Sequence, residues 1–176
     1  MLAKWFVKHD FLSEENCDQL IDESKNFLEK ATVMDSNTDI RNSQVRWYDK
    51  DNKITTYVKK EIIKMAKDLY KFPISKIAPL QYTLYDKNMF YDWHGDSTDN
   101  PYDLHLDRDI SATVLLNNPS EYEGGFFQFN TPRNVCSIQL LKGSIVVFPS
   151  LLTHRVTRVS KGTRHSLVAW GTRPFI

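Results

Sequence analysis

The feature that most constrains the fold is a series of short β-type segments that fills the second half of the chain, from Pro79 onward. Each segment is rich in β-branched and aromatic residues, and turn-forming pairs such as Gly124-Gly125 and Lys142-Gly143 separate neighbouring segments. The candidate strands are LQYTLYD, MFYDWHGD, ISATVLLN, GGFFQFN, VCSIQLL, SIVVFPS, THRVTRV and RHSLVAWGT. Short strands in this number predict a double-sheet jelly roll, or double-stranded β-helix, which encloses a pocket between its sheets.

Helical patterns come before these strands. The serine and two glutamates at 13–15 have the composition of a helix N-terminus, and apolar residues then recur at helical spacing up to Leu28. A second helix is predicted over 53–70, where apolar residues step by three or four positions, and it must stop before Pro73. The polar stretch between the helices is predicted to be a loop with one short strand around Val45–Trp47.

Together these patterns predict a mainly β fold with flanking helices (α+β). A chain of 176 residues fits one domain on length, so we expect a single domain over 1–176. Within it, helical residues in 1–75 would support a jelly-roll core formed by 79–176.

Composition and charge narrow the class of protein further. The formal net charge is +1, from 23 basic and 22 acidic residues, so nucleic acid is not expected as a partner, although a local basic groove is compatible with a neutral total. The cysteines are Cys17 and Cys136, without CxxC spacing, which indicates a reducing, cytoplasmic setting. No signal peptide or membrane-spanning run is recognisable, so no membrane partner is expected.

Two His-x-Asp triplets are the main candidates for chemistry, His94-Gly95-Asp96 and His105-Leu106-Asp107. On a strand, residues two apart point to the same face, so each triplet can supply two metal ligands. A third ligand from a distant strand, for which His154 is the candidate, would complete the two-histidine, one-carboxylate set that suits non-haem Fe(II). The spacing alone does not decide between the triplets.

Arg164 and Ser166 lie two apart on the last predicted strand and therefore share a face. An arginine supplies a two-pronged charged contact and a serine a hydroxyl donor, so the pair can bind a dicarboxylate. Each of these motifs also has an ordinary structural explanation, since lone histidines and Arg-x-Ser pairs are common on strands. What favours a functional site is their order: His-x-Asp, a β-rich interval, a distal histidine, and then Arg-x-Ser.

The connecting sequence carries a resemblance to a known family. WHGD…RDISATVLLNNPSEYEGGFFQF…KGSIVVFPSLLTHRVTRVSKGTRHSLVAWG resembles the iron(II)/2-oxoglutarate-dependent dioxygenases, in the prolyl-4-hydroxylase-like branch that includes PKHD-type hydroxylases. The likeness runs from about Tyr82 to Arg173, and FVKHDFLSEENCDQLI is similar to the helix that opens such domains. Nucleic-acid demethylases of the same superfamily share the ligand triad but not this connecting sequence.

The resemblance implies an assignment of the site. In the family the metal-binding triplet closes an aromatic-rich strand, here MFYDWHGD, so the implied catalytic and metal-binding residues are His94, Asp96 and His154. The implied residues for 2-oxoglutarate are Arg164, Ser166 and Tyr85. Fe(II), 2-oxoglutarate and O2 are the implied cofactor and cosubstrates, with ascorbate as a further candidate.

By the same comparison, His105 and Asp107 are expected in a loop over the pocket mouth, where they can touch substrate. The segments 33–52 and 97–108 are the loops expected to capture a macromolecular substrate, because loops on a rigid scaffold carry specificity. The sequence does not identify that substrate or an oligomeric state.

The implied reaction is hydroxylation of an unactivated C–H bond in a prolyl residue of a protein or peptide, with release of succinate and CO2. One alternative keeps the chemistry on a small molecule, a free amino acid or a nucleobase. Another is a jelly-roll binding module without activity, which the complete set of ligands and Arg164 argues against.

Other residues are weaker candidates. Aromatic residues that can line a substrate groove, but that more often pack in a core, are Tyr91, Trp93 and Trp170. We expect Arg108 and Arg155 to be surface charges, His165 to face outward, and both cysteines to be buried thiols.

Overall fold

Two facing β-sheets, one of them covered by two helices, make up the residues that the computed structural model describes, namely 5–31, 40–71, 73–97 and 108–174. The helices are α1 (Glu14–Ser24) and α2 (Lys53–Tyr70). The strands are β1 (Phe6–Lys8), β2 (Glu29–Lys30), β3 (Arg41–Asn42), β4 (Gln44–Tyr48), β5 (Lys76–Ile77), β6 (Leu80–Tyr85), β7 (Phe90–His94), β8 (Ile110–Leu115), β9 (Tyr122–Gly124), β10 (Phe127–Asn130), β11 (Val135–Ser137), β12 (Ile145–Pro149), β13 (His154–Val156), β14 (Val159–Gly162) and β15 (Arg164–Thr172).

Both helices begin at side-chain caps. The Ser13 hydroxyl accepts a hydrogen bond from the Asn16 backbone N–H at 3.2 Å, which confirms the predicted start of α1. Asn52 and Thr55 form a reciprocal capping box at the start of α2, with bonds of 2.9 Å and 2.8 Å. The second helix has the predicted bounds. The first ends at Ser24, earlier than predicted, because the chain turns there towards β2 and the later apolar residues lie outside the helix.

The larger sheet has the strand order β1-β12-β8-β15-β6-β4-β2, with β5 added beside β15. The second sheet has the order β11-β10-β13-β7-β3, and β9 pairs with β14 separately. Of the predicted strands, LQYTLYD, ISATVLLN, SIVVFPS and RHSLVAWGT lie in the larger sheet and the other four in the second, and all pairs are antiparallel. The chain passes back and forth between the two sheets, as in a jelly roll. The predicted mainly β fold with flanking helices is confirmed.

The first third of the chain contains more strand than predicted. Besides β4, which was expected, β1 pairs with β12 and β2 with β4, while β3 extends the second sheet beside β7. These strands have two or three residues each, too few for a period-2 pattern to be visible in the sequence. Their pairing partners, which lie far away in sequence, determine their conformation.

Apolar side chains form two clusters, one on each face of the larger sheet. Between the helices and the sheet, Leu20, Val58 and Ile62 pack with Tyr82 and Leu167. Between the two sheets lies a second cluster rich in aromatic residues, whose members include Tyr85, Leu115, Phe127, Phe129, Phe148 and Val156. Alternation along β15 directs Arg164 and Ser166 towards this inter-sheet space, where the predicted site residues meet.

His165 and Cys136 differ from what was predicted. His165 alternates away from Arg164, but the helices cover that face, so its Nδ1 lies 2.5 Å from the Tyr82 hydroxyl in a half-buried position. Cys136 is half-buried, whereas Cys17 is fully buried.

Neither helix in the described ranges is long and apolar enough to cross a membrane.

Candidate metal centre

His94, Asp96 and His154 lie together between the sheets, as the sequence predicted. One potential ligand atom from each lies within 4.8 Å of the others. Strand pairing produces this arrangement, because His94 ends β7 and is the direct partner of His154, which begins β13. The Asp96 carboxylate reaches both rings, with Oδ1 3.7 Å from His94 Nε2 and Oδ2 3.5 Å from His154 Nε2.

Asp96 enters the site by a route that strand alternation did not predict. The residue lies just beyond the end of β7, in a turn rather than on the strand. Its backbone N–H donates to the Ser150 carbonyl oxygen at 2.9 Å, which holds the turn against the end of β12. The carboxylate therefore depends on contact between the two sheets for its position.

Backbone carbonyls orient both imidazoles. His94 Nδ1 lies 2.7 Å from the Asp92 carbonyl oxygen, and His154 Nδ1 lies 2.9 Å from the Leu152 carbonyl oxygen. A carbonyl oxygen can only accept, so each Nδ1 carries a hydrogen, which leaves each Nε2 as the nitrogen that can bind a metal. Metal-binding histidines are commonly held in this way.

The electrostatics of the centre favour a bound cation. Burial and the neighbouring His154 lower the pKa of His94 to about 3, so its ring is neutral at pH 7 and available as a ligand. Burial alone would raise the pKa of the Asp96 carboxyl, but His154, His94 and the Ser111 hydroxyl outweigh it and hold the pKa below its usual value. The result is a buried anion beside two imidazole rings, with Ser111 Oγ donating to Asp96 Oδ2 at 2.6 Å.

Three ligands on one side of an ion leave its other positions open. This arrangement is typical of non-haem Fe(II) sites that activate oxygen. Apolar rings adjoin the centre, since the ring centroids of Phe148 and Phe127 lie 4.7 Å and 5.6 Å from that of His154. These rings exclude water from one side of the site.

Arg164 is the most unusual residue in the inter-sheet space, because it is only 1% exposed. Its Nη1 donates to Ser166 Oγ at 3.0 Å, whereas its Nε has no hydrogen-bond partner among the described residues. None of the ion pairs in the described ranges includes this arginine. A buried cation without a carboxylate is costly, so the geometry suits an anionic ligand that supplies one.

Tyr85 lies directly opposite Arg164 in the pairing of β6 with β15. The Arg164 Cζ is 5.7 Å from the Tyr85 ring centroid. Burial raises the pKa of Tyr85, against the opposing effect of the nearby arginines, so the phenol keeps its proton and can donate a hydrogen bond. A cavity of about 450 Å³, also lined by Leu115 and Phe127, borders Arg164.

Sequence reasoning missed several contributors to the centre. The Tyr91 ring stacks on the His94 ring with centroids 3.4 Å apart, and Ser111 holds Asp96. Arg108, expected on the surface, is half-buried with its Cζ 4.0 Å from the Trp170 ring centroid. The contacts of Ser111 with Asp96 and of Arg108 with Trp170 join residues far apart in the sequence, so no local spacing predicts them. Arg155 does lie on a half-exposed face, with its Cζ 4.3 Å from the Trp93 ring centroid.

The second His-x-Asp triplet cannot be compared with the first in space. His105 and Asp107 lie outside the described residues, so their placement in a loop and their contact with substrate stay predictions.

Comparison with known proteins places the chain in a family. Residues 80–172 match the family model described as the 2OG-Fe(II) oxygenase superfamily. A PKHD-type hydroxylase of Thermosynechococcus vestitus is 40% identical over 95 residues, which are 53% of this chain and 42% of that protein. A PKHD-type hydroxylase of Crocosphaera subtropica is 36% identical over 104 residues, which are 58% of this chain and 47% of that protein. The matched part thus spans less than half the length of these curated relatives.

Solved structures show the same fold. A prolyl-4-hydroxylase from Pseudomonas putida superposes with a TM-score of 0.79 at 19% identity, over 98% of this chain and 94% of that chain. This likeness confirms the jelly-roll prediction. Because the family model matches more than half of the chain, over a segment that includes His94, Asp96 and His154, the chain belongs to the 2OG-Fe(II) oxygenase superfamily.

Proposed function

We propose that this protein is an Fe(II)- and 2-oxoglutarate-dependent hydroxylase of a prolyl residue in a protein or peptide. The observation that carries the proposal is the presence, in one inter-sheet space, of a His–Asp–His cluster and a buried arginine whose Nε lacks a partner among the described residues. Neither feature alone specifies the chemistry, but together they match the needs of a metal ion and a dicarboxylate.

His94, Asp96 and His154 are the proposed ligands of Fe(II). Two imidazole Nε2 atoms and one carboxylate form a donor set that suits this ion. The Asp92 and Leu152 carbonyls fix the rings, so the ligands are oriented before the metal arrives.

Arg164 is the proposed partner for the far carboxylate of 2-oxoglutarate, with Ser166 and Tyr85 as hydrogen-bond donors. The unpartnered Nε and the deep burial of the guanidinium support this role. When bound, Fe(II) and 2-oxoglutarate supply the oxidising chemistry: O2 is consumed, the cosubstrate becomes succinate and CO2, and one oxygen atom enters the substrate C–H bond. The protein binds and orients these groups and keeps the site dry.

The names of the relatives support a prolyl substrate. The curated relatives are PKHD-type hydroxylases, and the Pseudomonas putida structure is a prolyl-4-hydroxylase. A prolyl hydroxylase of Trichoplax adhaerens, solved with a peptide fragment of hypoxia inducible factor, superposes with a TM-score of 0.78 at 16% identity, over 96% of this chain and 83% of that chain. We also propose that ascorbate serves as an accessory reductant and that the protein acts in the cytoplasm.

The test begins with Fe(II) and 2-oxoglutarate added anaerobically to the purified protein. Admission of O2 should then release succinate, slowly without substrate and faster with a suitable proline-containing peptide. Mass spectrometry should find one added oxygen atom on proline. Complete absence of succinate, with or without peptides, would contradict the proposal.

The two His-x-Asp triplets offer a matched pair of variants. His94→Ala should abolish iron-dependent turnover and weaken Mn(II) binding, because a ligand is lost. His105→Ala should leave the metal bound. Equal effects of the two substitutions on metal content would reject the assignment of the first triplet as the metal site.

A further inference from the structure

Two arginines outside the proposed catalytic set lie beside the metal centre. Arg108 stacks on Trp170, with its Cζ 4.0 Å from the ring centroid, and both residues are at least half-buried. Trp170 pairs in register with Ser111, the residue that holds Asp96, so this stack adjoins the centre. The Trp170 indole Nε1 is buried and has no hydrogen-bond partner among the described residues. A guanidinium held over an indole ring keeps its N–H donors in a fixed plane, and such donors suit a carboxylate.

Arg41 approaches the centre from the second sheet. It pairs in register with Tyr91, and its Cζ lies 4.5 Å from the Tyr91 ring centroid. Tyr91 in turn stacks on His94, so a cation, a phenol and a proposed metal ligand are in consecutive contact. Two hydrogen bonds of 2.9 Å, to Ser43 Oγ and Gln81 Oε1, hold the guanidinium in place.

The positive charge continues outward from Arg41. A cavity of about 320 Å³ is lined by Arg41, Asn42 and Phe90 together with two exposed cations, Lys30 and Arg158. Within the described ranges, none of the acidic side chains forms an ion pair with any of these cations or with Arg108. Burial lowers the pKa of Arg108 while Asp96 opposes this change, and the proposed metal would draw on the same carboxylate.

We infer that Arg41 and Arg108 select an acidic peptide segment as substrate, with carboxylate side chains on both sides of the residue that is hydroxylated. This inference rests on the proposed function and names its class of substrate. Electrostatic complementarity of this kind determines which partner binds and in which register. Arg108 would take one carboxylate near the metal, and Arg41 with Lys30 and Arg158 would take carboxylates further along the chain.

The spread of the cations favours a peptide over other acidic partners. The four cations, called the row, come from separate segments of the chain: Arg108 lies against Trp170 on β15, and Arg41, Lys30 and Arg158 line one cavity. A nucleic acid would be attracted by a large excess of positive charge, whereas the chain has a net charge of +1. An extended peptide with several carboxylates matches a short row of fixed cations.

The test uses the full chain loaded with Mn(II) and 2-oxoglutarate, and two short fluorescent peptides. Both carry one central proline, flanked by glutamates in one peptide and by glutamines in the other. Fluorescence anisotropy should show about tenfold tighter binding of the glutamate peptide, a preference that falls as salt is added. Binding requires no turnover, so the result does not depend on the reaction.

The variant Arg41→Gln/Arg108→Gln, measured at concentrations of Mn(II) and 2-oxoglutarate that saturate it, should reduce this preference to less than about twofold. Arg133→Gln removes one positive charge from an exposed turn and should keep the wild-type preference. If the double variant misfolds by circular dichroism, Arg41→Lys/Arg108→Lys replaces it and should keep part of the preference, since charge is retained but the forked geometry is lost.

Several results would overturn the inference. Equal affinity of the wild-type protein for both peptides is one, and an undiminished preference in the glutamine double variant is another. Tighter binding of an oligothymidylate than of the glutamate peptide would assign the row to nucleic acid instead. Succinate release without peptide is measured on the same samples, so loss of the proposed activity is distinguishable from loss of charge selection.

Discussion

A single hydroxyl positions the carboxylate at the centre of the proposed metal site. Ser111 Oγ donates to Asp96 Oδ2 at 2.6 Å and lies 2.9 Å from Ser150 Oγ. Two buried serines on the larger sheet therefore hold the turn that follows β7 of the second sheet. Groups that orient a metal ligand affect metal affinity, because they hold the ligand in the geometry that binds the ion.

Ser111→Ala is therefore predicted to weaken Mn(II) or Fe(II) binding by about tenfold to a hundredfold without unfolding the protein. The carboxylate would lose its donor and rotate more freely. Titration of Mn(II) by electron paramagnetic resonance measures the change, with the exposed Ser160→Ala as the control. An unchanged dissociation constant for the metal would show that Ser111 does not position Asp96.

His165 makes stability depend on pH. Burial lowers its pKa below the usual value of about 6.5, so the unfolded chain binds a proton more readily than the folded protein does. The free energy of unfolding should therefore decrease as the pH falls below about 6.5. His94 acts in the same direction, so His165→Gln should reduce the slope rather than remove it. Urea titrations between pH 8 and pH 5 test this, and parallel slopes for both proteins would contradict it.

The turn before β12 attaches the N-terminal segment of the chain to the larger sheet. The Gly143 carbonyl oxygen accepts hydrogen bonds of 3.0 Å from the backbone N–H groups of Phe11 and Leu12. The backbone of Gly143 has φ +77°, and a Cβ there would lie 2.2 Å from the Leu12 carbonyl oxygen. No side chain fits this position without moving the segment that leads into α1.

Gly143→Ala should consequently lower the free energy of unfolding by about 2 kcal/mol or more, from the strained backbone and the contact with Leu12. Urea denaturation measures this, and an unchanged m-value would show that the native and unfolded states are otherwise similar. The exposed Ser120→Ala should stay within about 0.5 kcal/mol of wild type. A similarly small effect of Gly143→Ala would mean that the turn can relax at little cost.

The elements show which parts of the fold the sequence could predict. The helix over Lys53–Tyr70 has caps and a long apolar period, and the core strands have β-branched runs bounded by turns, so both were visible locally. The strands Glu29–Lys30 and Arg41–Asn42 were not, because two residues carry no period and only pairing with distant strands defines them. The end of α1 was also wrong, since apolar residues past Ser24 continued the spacing although the chain had already turned.

The proposed metal centre combines residues from sequence motifs with residues that only the complete fold brings together. The meeting of His94, Asp96 and His154 was predicted because motif order and family resemblance both pointed to it. The stack of Arg108 on Trp170 and the contact of Arg41 with Tyr91 were not, because each joins residues that are far apart in the sequence and become neighbours only through strand pairing. In the sequence, Arg41 and Arg108 cannot be told from surface arginines, because only their neighbours in the folded chain distinguish them.

The two cysteines report on the stability of the whole fold. Cys17 is fully buried in the cluster between helices and sheet, and burial raises the pKa of its thiol to about 11, whereas Cys136 is half-buried on β11. Since the thiolate is the reactive form, an alkylating reagent should reach Cys17 only when the protein unfolds. Cys136 should react in the native state.

Ligand binding between the sheets should therefore protect a thiol on the far side of the larger sheet. Mn(II) at about a hundred times its own dissociation constant should slow iodoacetamide labelling of Cys17 by about a hundredfold, because only the native state binds the ion. Addition of 2-oxoglutarate should slow the labelling further for the same reason. Cys136 should label at nearly the same rate with and without ligand, and Cys136→Ser isolates the signal of Cys17 for mass spectrometry. Equal protection of both thiols would indicate a local change around the ligand, and labelling of Cys17 as fast as that of Cys136 would contradict its burial. A hundredfold effect confined to Cys17 would instead link the inter-sheet site to the stability of the whole molecule.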